Sequence, residues 1–451
     1  MAHTLIAAGR IVPATGAQIL SPGFVRLSGG VVTEIGSGRP SQHADFDLAD
    51  GVLVPGFVDL QVNGHFGVDL AAVDEAGWAT VVRRLPETGT TAFLPTFITG
   101  PVHKLAGALR ATAELLPSLP LGARVLGVHL EGPFISPRRR GAHDPEWIID
   151  PEPEALAELV ASGGGALRLV TLAPERHGSL AAIKLLTDAG VRVSVGHSDA
   201  TAAQVAAAAD AGARMVTHLF NAQAGIHHRE PGVAGQALGD PRFTSGLIAD
   251  LQHVAPIVCR IAFAAAPGRI AIVTDSAACA GMPPGRYHLG GQPIELPAGD
   301  GVPPVRTDGT LAGSALRMDV GVSNMVASGV GLQAAVAAAG RVPADVIGRP
   351  DLGRISEGAA ADLVWLGDDL RTRATWIAGE VAYSAHPSVT RPAATRHSHH
   401  SFEHAPLFET GRAAPGAGEQ GLPGAGFPVR QAAQRNSPGQ GLPRRPGHGH
   451  T

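Results

Sequence analysis

The chain has 451 residues, of which 44% are hydrophobic and 16% are charged, and its net charge is −4. This balance excludes a general attraction to nucleic acid or to anionic membranes, and no apolar run approaches the about 18 residues of a membrane span. Two cysteines, Cys259 and Cys279, give no disulfide framework, and no signal peptide is recognisable. The expected compartment is therefore the cytoplasm.

The first 54 residues consist of short strand-like runs separated by Gly, Pro and Asp, which is typical of a small β domain. Between residues 55 and 350, apolar runs alternate with Ala-rich stretches that favour helices, among them 101–116, 178–189 and 200–211. Eight runs qualify as buried strands: "GFVDLQV", "TAFLPTF", "RVLGVHLEG", "LRLVTLAPE", "VRVSVGHSD", "RMVTHLFN", "FTSGLIADLQH" and "IAIVTDS". Eight strand–helix units predict an α/β fold of the (β/α)₈ barrel type.

The strand-like pattern returns at residues 351–390, after a helical stretch. The simplest assembly joins this segment to residues 1–54, so that both chain ends form one small β-sandwich domain beside the barrel. From residue 391 to 451 the composition changes to Gly, Pro, Gln, Arg and His without periodicity. This tail is predicted to be disordered.

Polar residues follow four of the predicted strands, at the points where the apolar runs end. They are Glu131 in "HLEGPF", His197 in "VGHSDA", His218 in "THLFNA" and Asp275 in "VTDSAA". Any one of them could be a satisfied buried polar group, and Asp275 could cap a following turn. Since the carboxyl ends of barrel strands form the active face, four such residues together predict a shared site.

One glutamate and two histidines, with water completing the shell, form a suitable open coordination set for zinc or ferrous iron. A separate aspartate can then move protons, because a bound cation lowers the pKa of a water ligand toward about 7. The residues thus predict metal-assisted attack of water on a carbonyl or a similar electrophile.

Five motifs resemble the N-acetylglucosamine-6-phosphate deacetylase family of the amidohydrolase superfamily. They are "HLEGPFISPRRRGAHDP", "VGHSDAT", "THLFNAQAGIHHREPGVAG", "IVTDSAACAGMPPGRYHLGG" and "GTLAGSALRMD". The resemblance runs from about residue 5 to 385 and implies a barrel with a small β-sandwich and, commonly, a homodimer. It also implies hydrolysis of N-acetylglucosamine 6-phosphate to glucosamine 6-phosphate and acetate, in amino-sugar metabolism.

The resemblance implies a role for each matching residue. Glu131, His197 and His218 would bind one divalent metal ion per subunit, with zinc expected and iron or another transition metal as alternatives. Asp275 would be the catalytic acid and base. His143 would hold and polarise the acetyl carbonyl. The remaining substrate-binding residues would be Ala142, Asn221, Ala222, Arg229 and His253, of which Arg229 and His253 would contact the sugar or its phosphate, with Arg229 acting across a dimer interface.

The first barrel strand departs from the superfamily pattern, because Gln61 and Asn63 stand where His-x-His is usual. Amide oxygens bind zinc or iron weakly, so a second metal position is not expected. We predict a mononuclear site in which Gln61 and Asn63 at most hydrogen-bond to the attacking water or to nearby groups. Finding two required ions would instead make His65 or Asp59 candidate ligands, and Cys279 is the thiol expected nearest the site.

Three alternatives remain open from the sequence. The same residues could serve an N-acetylgalactosamine-6-phosphate deacetylase, since the two sugars differ in the direction of one hydroxyl. A cyclic-amide hydrolase or deaminase is a more distant alternative, but such enzymes usually carry His-x-His. A catalytically inactive scaffold is the third, and the joint presence of Glu131, His197, His218 and Asp275 argues against it.

Overall fold

The computed structural model describes residues 3–299 and 301–389 of the chain. The predicted disordered tail at 391–451 lies outside these residues. The amino-terminal segment forms five short strands: β1 (His3–Ala8), β2 (Gly23–Ser28), β3 (Val31–Ser37), β4 (Phe46–Leu48) and β5 (Val52–Pro55). The first four make one sheet in the order β3–β2–β1–β4. The strand-rich character predicted for this segment is therefore present.

The centre of the molecule is a nearly closed parallel barrel. In chain order its region contains β6 (Phe57–Val62), a two-residue pair β7 (Gly64–His65) and β8 (Val68–Asp69), β9 (Thr90–Ile98), β10 (Arg124–Val125), β11 (Val128–Glu131), β12 (Leu167–Leu172), β13 (Arg192–Val195), β14 (Met215–Val216), β15 (Thr244–Ile248) and β16 (Ile270–Val273). The eight staves are β6, β9 and β11 to β16, paired in that order. A parallel bridge between Val62 and Ser276 brings the last stave back to the first. The predicted barrel is confirmed.

Helices surround the barrel, as the Ala-rich stretches predict. They are α1 (Glu75–Arg84), α2 (Val102–Leu115), α3 (Pro153–Gly163), α4 (Ser179–Asp188), α5 (Ala202–Ala211), α6 (Gly232–Gly239), α7 (Pro256–Ala265), α8 (Met318–Ala327), α9 (Leu332–Ala339) and α10 (Arg341–Val346). Helix α5 begins with a capping box, in which the side chains and backbone of Thr201 and Gln204 satisfy each other. None of the helices in the described ranges is both long and apolar enough to span a membrane, and the cytoplasmic location stays a prediction.

A hairpin that the sequence analysis did not predict follows the last stave. It consists of β17 (Gly285–Leu289) and β18 (Gln292–Leu296), joined by Gly290 and Gly291. Both glycines have positive φ, of 57° and 77°, which suits a two-residue hairpin turn. The hairpin packs over a small apolar cluster that includes Ile98, Cys279 and Leu289, so it lies at the mouth of the barrel.

The carboxyl-terminal strands β19 (Leu363–Leu366), β20 (Thr372–Ile377) and β21 (Glu380–Ser384) form a second sheet with β5, in the order β21–β20–β19–β5. Ile6 and Val25 from one sheet and Trp365 and Trp376 from the other belong to a single apolar cluster. Strands from both chain ends therefore build the small sandwich, as predicted, although the residue bounds assigned to the domains stay a prediction.

A chain of polar side chains crosses the barrel interior below the strand ends. The Nε2 atom of His129 lies 2.7 Å from the Thr171 hydroxyl, which lies 2.7 Å from Thr217, and Thr217 lies 2.6 Å from Ser194. Each group has a hydrogen-bond partner, which offsets the cost of burying it. These hydrogen-bonded side chains form a fixed layer beneath the residues at the strand ends.

Candidate metal and active site

The carboxyl ends of three barrel strands bring Glu131, His197 and His218 together. Glu131 Oε1 lies 3.2 Å from His197 Nε2 and 2.9 Å from His218 Nε2, and the two nitrogens are 3.0 Å apart. Ligands of a tetrahedral zinc ion at about 2.0–2.1 Å lie about 3.3 Å from one another. The three atoms thus have nearly the spacing of one face of a zinc coordination shell.

The hydrogen bonds around His197 give a second reason why a cation fits here. Its Nδ1 atom lies 2.8 Å from the backbone carbonyl of Arg139, and a carbonyl can only accept, so Nδ1 carries the proton. The lone pair on Nε2 is therefore directed at the Glu131 carboxylate, and both are almost fully buried. Two electron-rich atoms at this distance repel each other unless a positive charge lies between them.

The pKa shifts of Glu131 and His218 are consistent with a site that favours a bound cation. Burial alone raises the pKa of Glu131, but its contacts with His197 and His218 outweigh burial and hold this pKa well below its usual range. Burial lowers the pKa of His218, but the hydrogen bond and charge of Glu131 reverse this effect and raise it. Glu131 is therefore ionised, and a proton on His218 occupies the position that a cation would take.

Backbone conformation turns the strand-end side chains toward the mouth. His197, His218 and Asp275 have φ of 46°, 27° and 50°, in the left-handed region that residues with a Cβ rarely adopt. Such a conformation costs on the order of 1–3 kcal/mol each and is concentrated at functional sites. The strain marks these three positions as places where side-chain direction takes precedence over local stability.

His143 lies beside the same group. Its Nδ1 atom accepts the backbone N–H of Thr99 at 3.3 Å and lies 2.7 Å from the Thr99 hydroxyl, so the proton of the neutral ring is on Nε2. Burial and the neighbouring His197 lower the pKa of His143 well below its usual value. Glu131, His143 and His197 also have potential ligand atoms within 4.8 Å of one another. The ligand atoms of Glu131, His197 and His218 lie closer together, at 2.9–3.2 Å, whereas His143 Nε2 is 3.9 Å from Glu131 Oε2.

Asp275 is held by the two amides of the first barrel strand. Asn63 Nδ2 donates to Asp275 Oδ1 at 2.8 Å, and Gln61 Nε2 donates to the same oxygen at 3.0 Å. Gln61 Nε2 also donates to Glu131 Oε1 at 3.0 Å. Burial raises the pKa of Asp275 to about 7, and the Glu131 carboxylate adds to this shift. The sequence predicts that Gln61 and Asn63 at most hydrogen-bond to the attacking water or to nearby groups, and in the structure both donate to Asp275.

A cavity of about 300 Å³ opens above these groups. Its lining includes nearly all of the residues predicted for the site: Asn63, Glu131, Ala142, His143, His197, His218, Asn221, Ala222, His253 and Asp275. Gln61 is buried behind them. A small cavity with a few convergent polar groups suits a small polar ligand.

The two residues predicted to contact phosphate differ in placement. His253 lines the cavity, and its Nδ1 atom lies 2.7 Å from Asp250 Oδ2, which fixes the ring. Arg229 is exposed on a loop outside the cavity, and its Nη1 atom lies 2.8 Å from His228. Within this one chain, therefore, Arg229 does not join the residues around Asp275.

Several cavity residues were not predicted. The cavity is also lined by Leu289 from the hairpin, by Thr310, Leu311 and Gly313 from the loop after it, and by Ile98 and Ile248. The "GTLAGS" motif was a signal for the loop residues, and alternation around Gly-Gly was a signal for the hairpin. Asp250 had the weakest signal, because a carboxylate three residues before a histidine is common in turns.

Three further candidates lie away from the metal-binding group. The Cys279 thiol packs in the apolar cluster under the hairpin, and burial raises its pKa to about 12. His65 stacks edge-on against Phe66, with its Nδ1 atom 3.4 Å from the Ser276 hydroxyl. Asp59 accepts hydrogen bonds from the Thr274 hydroxyl and backbone. Among the described residues, none of these three belongs to the group whose atoms could hold one ion.

Comparisons with known proteins identify the family of this chain. The model of the amidohydrolase family matches residues 52–382. N-acetylglucosamine-6-phosphate deacetylase of Bos taurus is 40% identical over 356 residues, which cover 75% of this chain and 85% of the bovine protein. N-acetylgalactosamine-6-phosphate deacetylase of Escherichia coli O157:H7 is 38% identical over 365 residues, covering 79% of this chain and 94% of that protein.

A solved structure is similar over the same region. It is a mutant of N-acetyl-D-glucosamine-6-phosphate deacetylase from Mycobacterium smegmatis, in complex with N-acetyl-D-glucosamine-6-phosphate. The two chains share 36% identity with a TM-score of 0.80, over 85% of this chain and all of that one. On these matches, this chain belongs to the amidohydrolase family, in its N-acetylglucosamine-6-phosphate deacetylase branch.

Proposed function

We propose that this protein is a metal-dependent hydrolase that removes the acetyl group from N-acetyl-D-glucosamine 6-phosphate, giving D-glucosamine 6-phosphate and acetate. The observation that carries the proposal is the trio of ligand atoms 2.9–3.2 Å apart beside the buried carboxyl of Asp275. The relatives named for this reaction cover most of the chain and support the choice of substrate. Amino-sugar metabolism is the process in which such a reaction belongs.

Glu131, His197 and His218 would hold one divalent cation, for which zinc is the first choice. Two imidazoles and a carboxylate suit zinc, and iron or another divalent transition metal accepts the same ligands. When bound, the cation would supply Lewis-acid polarisation of the acetyl carbonyl and acidification of water. His197 is prepared for this role, since its Nδ1 atom is engaged by the Arg139 carbonyl.

Asp275 moves the proton in the proposed reaction. As water attacks the acetyl carbonyl carbon, the Asp275 carboxylate takes one proton from it. Asp275 then gives this proton to the amide nitrogen as the carbon–nitrogen bond breaks, which turns a poor leaving group into a neutral amine. A pKa near 7 suits a group that must accept and then donate a proton near neutral pH.

His143 stabilises the carbonyl oxygen as charge develops on it. The contacts with Thr99 leave the ring proton on Nε2, which can donate to that oxygen. Since burial lowers the pKa of His143, the ring stays neutral and keeps this single tautomer at neutral pH. A preorganised donor in a buried site is most effective where negative charge grows during the reaction.

The 6-phosphate would be recognised by His253 together with Arg229 from a second copy of the chain. Within one chain the arginines lining the cavity, Arg138 and Arg139, both contact Asp199. Arg229 lies on an exposed loop that also carries Ile226, a hydrophobic residue that is 53% exposed. A homodimer that covers this loop would bring a guanidinium fork, which suits a phosphate dianion, to a neighbouring mouth.

Acetate release tests the function directly. The assay uses N-acetylglucosamine 6-phosphate, N-acetylgalactosamine 6-phosphate and unphosphorylated N-acetylglucosamine. The expected result is the highest kcat/KM with the first substrate and a loss of about 10- to 100-fold without the phosphate. Arg229→Ala should remove most of that difference. Equal kcat/KM for the phosphorylated and free sugar would sink the phosphate assignment, and no acetate from any substrate would sink the function.

Metal analysis tests the stoichiometry. Because the tail contains histidines, the chain should end at residue 389 for this measurement. The expected content is about one tightly held ion per chain, and His218→Ala should lose it. Two ions per chain, both required for activity, would contradict a mononuclear site and would turn attention to Asp59 and His65.

A further inference from the structure

The two amides that replace His-x-His on the first stave converge on one oxygen of Asp275. Asn63 Nδ2 and Gln61 Nε2 lie 2.8 and 3.0 Å from Oδ1. All three side chains are buried, with Asn63 and Gln61 each only 2% exposed. Amide N–H groups that donate to a buried carboxylate form charge-assisted hydrogen bonds, which are stronger than those between neutral groups.

The orientation of both amides follows from what they contact. A carboxylate oxygen only accepts, so each amide must turn its NH₂ group toward Asp275. For Asn63 this leaves Oδ1 buried without a hydrogen-bond partner among the described residues. Leaving an acceptor unpaired is unfavourable, which indicates that the contact with Asp275 decides how this side chain lies.

Gln61 is fixed at its backbone as well as at its side chain. Its carbonyl accepts the backbone N–H of Asp275 at 2.9 Å, and its own N–H donates to Asp59 at 3.2 Å. The two N–H groups of its amide reach two different carboxylates, Asp275 and Glu131. A neutral imidazole at position 61 could not do this, because it carries only one N–H group.

We propose that Gln61 and Asn63 are positioning residues for proton transfer, which hold Asp275 through Oδ1 so that Oδ2 is the oxygen that takes and returns the proton. Oδ2 of Asp275 has no hydrogen bond to the described residues, and Asp275 lines the cavity. The Gln-x-Asn pair then orients Asp275, the residue that acts as acid and base. This inference rests on the proposed function.

The test compares Asn63→Leu in two backgrounds, with and without Asp275. Asn63 is chosen because it contacts Asp275 but not Glu131, whereas Gln61 contacts both carboxylates. In the otherwise unchanged holoenzyme, kcat for N-acetylglucosamine 6-phosphate should fall about 10- to 100-fold with KM nearly unchanged, as expected for loss of a charge-assisted hydrogen bond. In an Asp275→Ala background the same substitution should change the residual kcat less than about twofold, since coupled residues are not additive. Metal content and Tm are measured on every variant.

Gln61→Met is the second variant, and Asn324→Ala is the matched control. Asn324, on helix α8, donates its amide to the Ala249 carbonyl at 2.9 Å rather than to Asp275 or Glu131. Gln61→Met should show the same dependence on Asp275, and Asn324→Ala should leave kcat unchanged. Should Asn63→Leu fail to fold, Asn63→Ala takes its place.

The inference is overturned if Asn63→Leu or its replacement lowers kcat by the same factor with and without Asp275. It is also overturned if the whole loss in kcat is explained by lost metal. Failure of the proposed function is a different result, because the unsubstituted protein would then release no acetate at all.

Discussion

Asp275 has to be ionised to accept a proton and yet is placed where ionisation is costly. Burial and the Glu131 carboxylate both raise its pKa, to about 7, while the charge of His218 and His253 and the hydrogen bond from Asn63 lower it. These opposing effects keep the pKa of Asp275 near neutral, so that both the protonated and the ionised carboxyl are accessible. A bound cation adds a further positive charge and would shift the balance toward the carboxylate.

Asp275→Asn tests the role of this residue. The amide keeps the size of the side chain but cannot accept a proton, so kcat should fall by about 10²–10⁴-fold, the usual contribution of a general acid and base. Glu131, His197 and His218 are unchanged, and the metal should therefore remain bound. Acetate release and metal content are measured on the same preparation. Near-native kcat in a metal-replete variant would remove Asp275 from the mechanism.

At this scale the sequence indicates which residues meet but not how they contact one another. Glu131, His197, His218 and Asp275 are identifiable because each ends an apolar run, and parallel barrel strands end at one face. The amide contacts are not identifiable, because Gln61 and its acceptor Asp275 are 214 residues apart. Their geometry depends on the register between the first and last staves, which no local pattern encodes.

The turn after β15 shows how one short element presents a binding group. Asp250 accepts the backbone N–H groups of Gln252 and His253, each at 2.9 Å, and also contacts the His253 ring. Leu251 between them has a φ of 63°. The carboxylate thus closes the turn and directs the far nitrogen of His253 toward the cavity.

Asp250→Asn should therefore weaken substrate binding more than chemistry. The amide can still cap the turn through its oxygen, but it no longer offers the carboxylate oxygen that holds the His253 ring at Nδ1. KM for N-acetylglucosamine 6-phosphate should rise several-fold with a smaller change in kcat. The comparison with free N-acetylglucosamine serves as the control, since a sugar without phosphate should be affected less. A fall in kcat alone would contradict this role.

Element types follow from the sequence wherever periodicity is long, as for the eight staves and helices α2, α4 and α5. The hairpin β17–β18 is different, because its polar and apolar residues alternate over only five positions in each strand. Its position over the mouth depends on the apolar cluster with Ile98 and Cys279, which are far away in sequence. A tertiary contact of this kind cannot be inferred from the segment itself.

Barrel and sandwich are joined by buried charges as well as by apolar packing. Asp362, whose side chain is 2% exposed, pairs with Arg124 next to the barrel and accepts the backbone N–H of Ala378. Asp319 on α8 likewise accepts the backbone N–H of Thr372 in the sandwich at 3.1 Å. The sandwich is therefore tied to the barrel at two separate points.

Asp362→Ala should destabilise the whole molecule. The change leaves Arg124 and the backbone N–H of Ala378 without their acceptor, and because the Arg124 side chain is 29% exposed we expect a loss of about 1.5–3 kcal/mol, the usual range for hydrogen bonds to a charged group. The free energy of unfolding in urea measures this effect. Asp368→Ala is the matched control, since the Asp368 side chain is 78% exposed and its pair with Arg10 should contribute little. An equal effect from both variants would argue against a role for Asp362 in joining the sandwich to the barrel.

Acid should destabilise the protein through its buried neutral histidines. Burial, with Arg317 and Arg84 nearby, lowers the pKa of His65 to about 3, and burial lowers that of His129 to about 4. In the unfolded chain both pKa values return to about 6.5. As pH falls from 6.5 toward 4, these histidines bind protons in the unfolded state but not in the folded state, so the free energy of unfolding falls.

The contribution of one histidine is measured by difference. His65→Leu should lose less of its free energy of unfolding between pH 7 and pH 4.5 than the unsubstituted protein does. Carboxyls with raised pKa, such as Asp59, act in the opposite direction but are common to both proteins. Identical slopes with pH would show that His65 is not held neutral.

The closure of the barrel between its first and last staves also sets an order of events during synthesis. Glu131 and His218 are 87 residues apart, whereas Gln61 must wait for Asp275, 214 residues away. Since a chain is synthesised at about 5–20 residues per second, Asp275 is added roughly 3–11 s after His218. Closing the longer loop also costs about 1 kcal/mol more chain entropy. All three candidate metal ligands are thus synthesised before the residue that would carry the proton, and the candidate site is complete only once the last stave has been made.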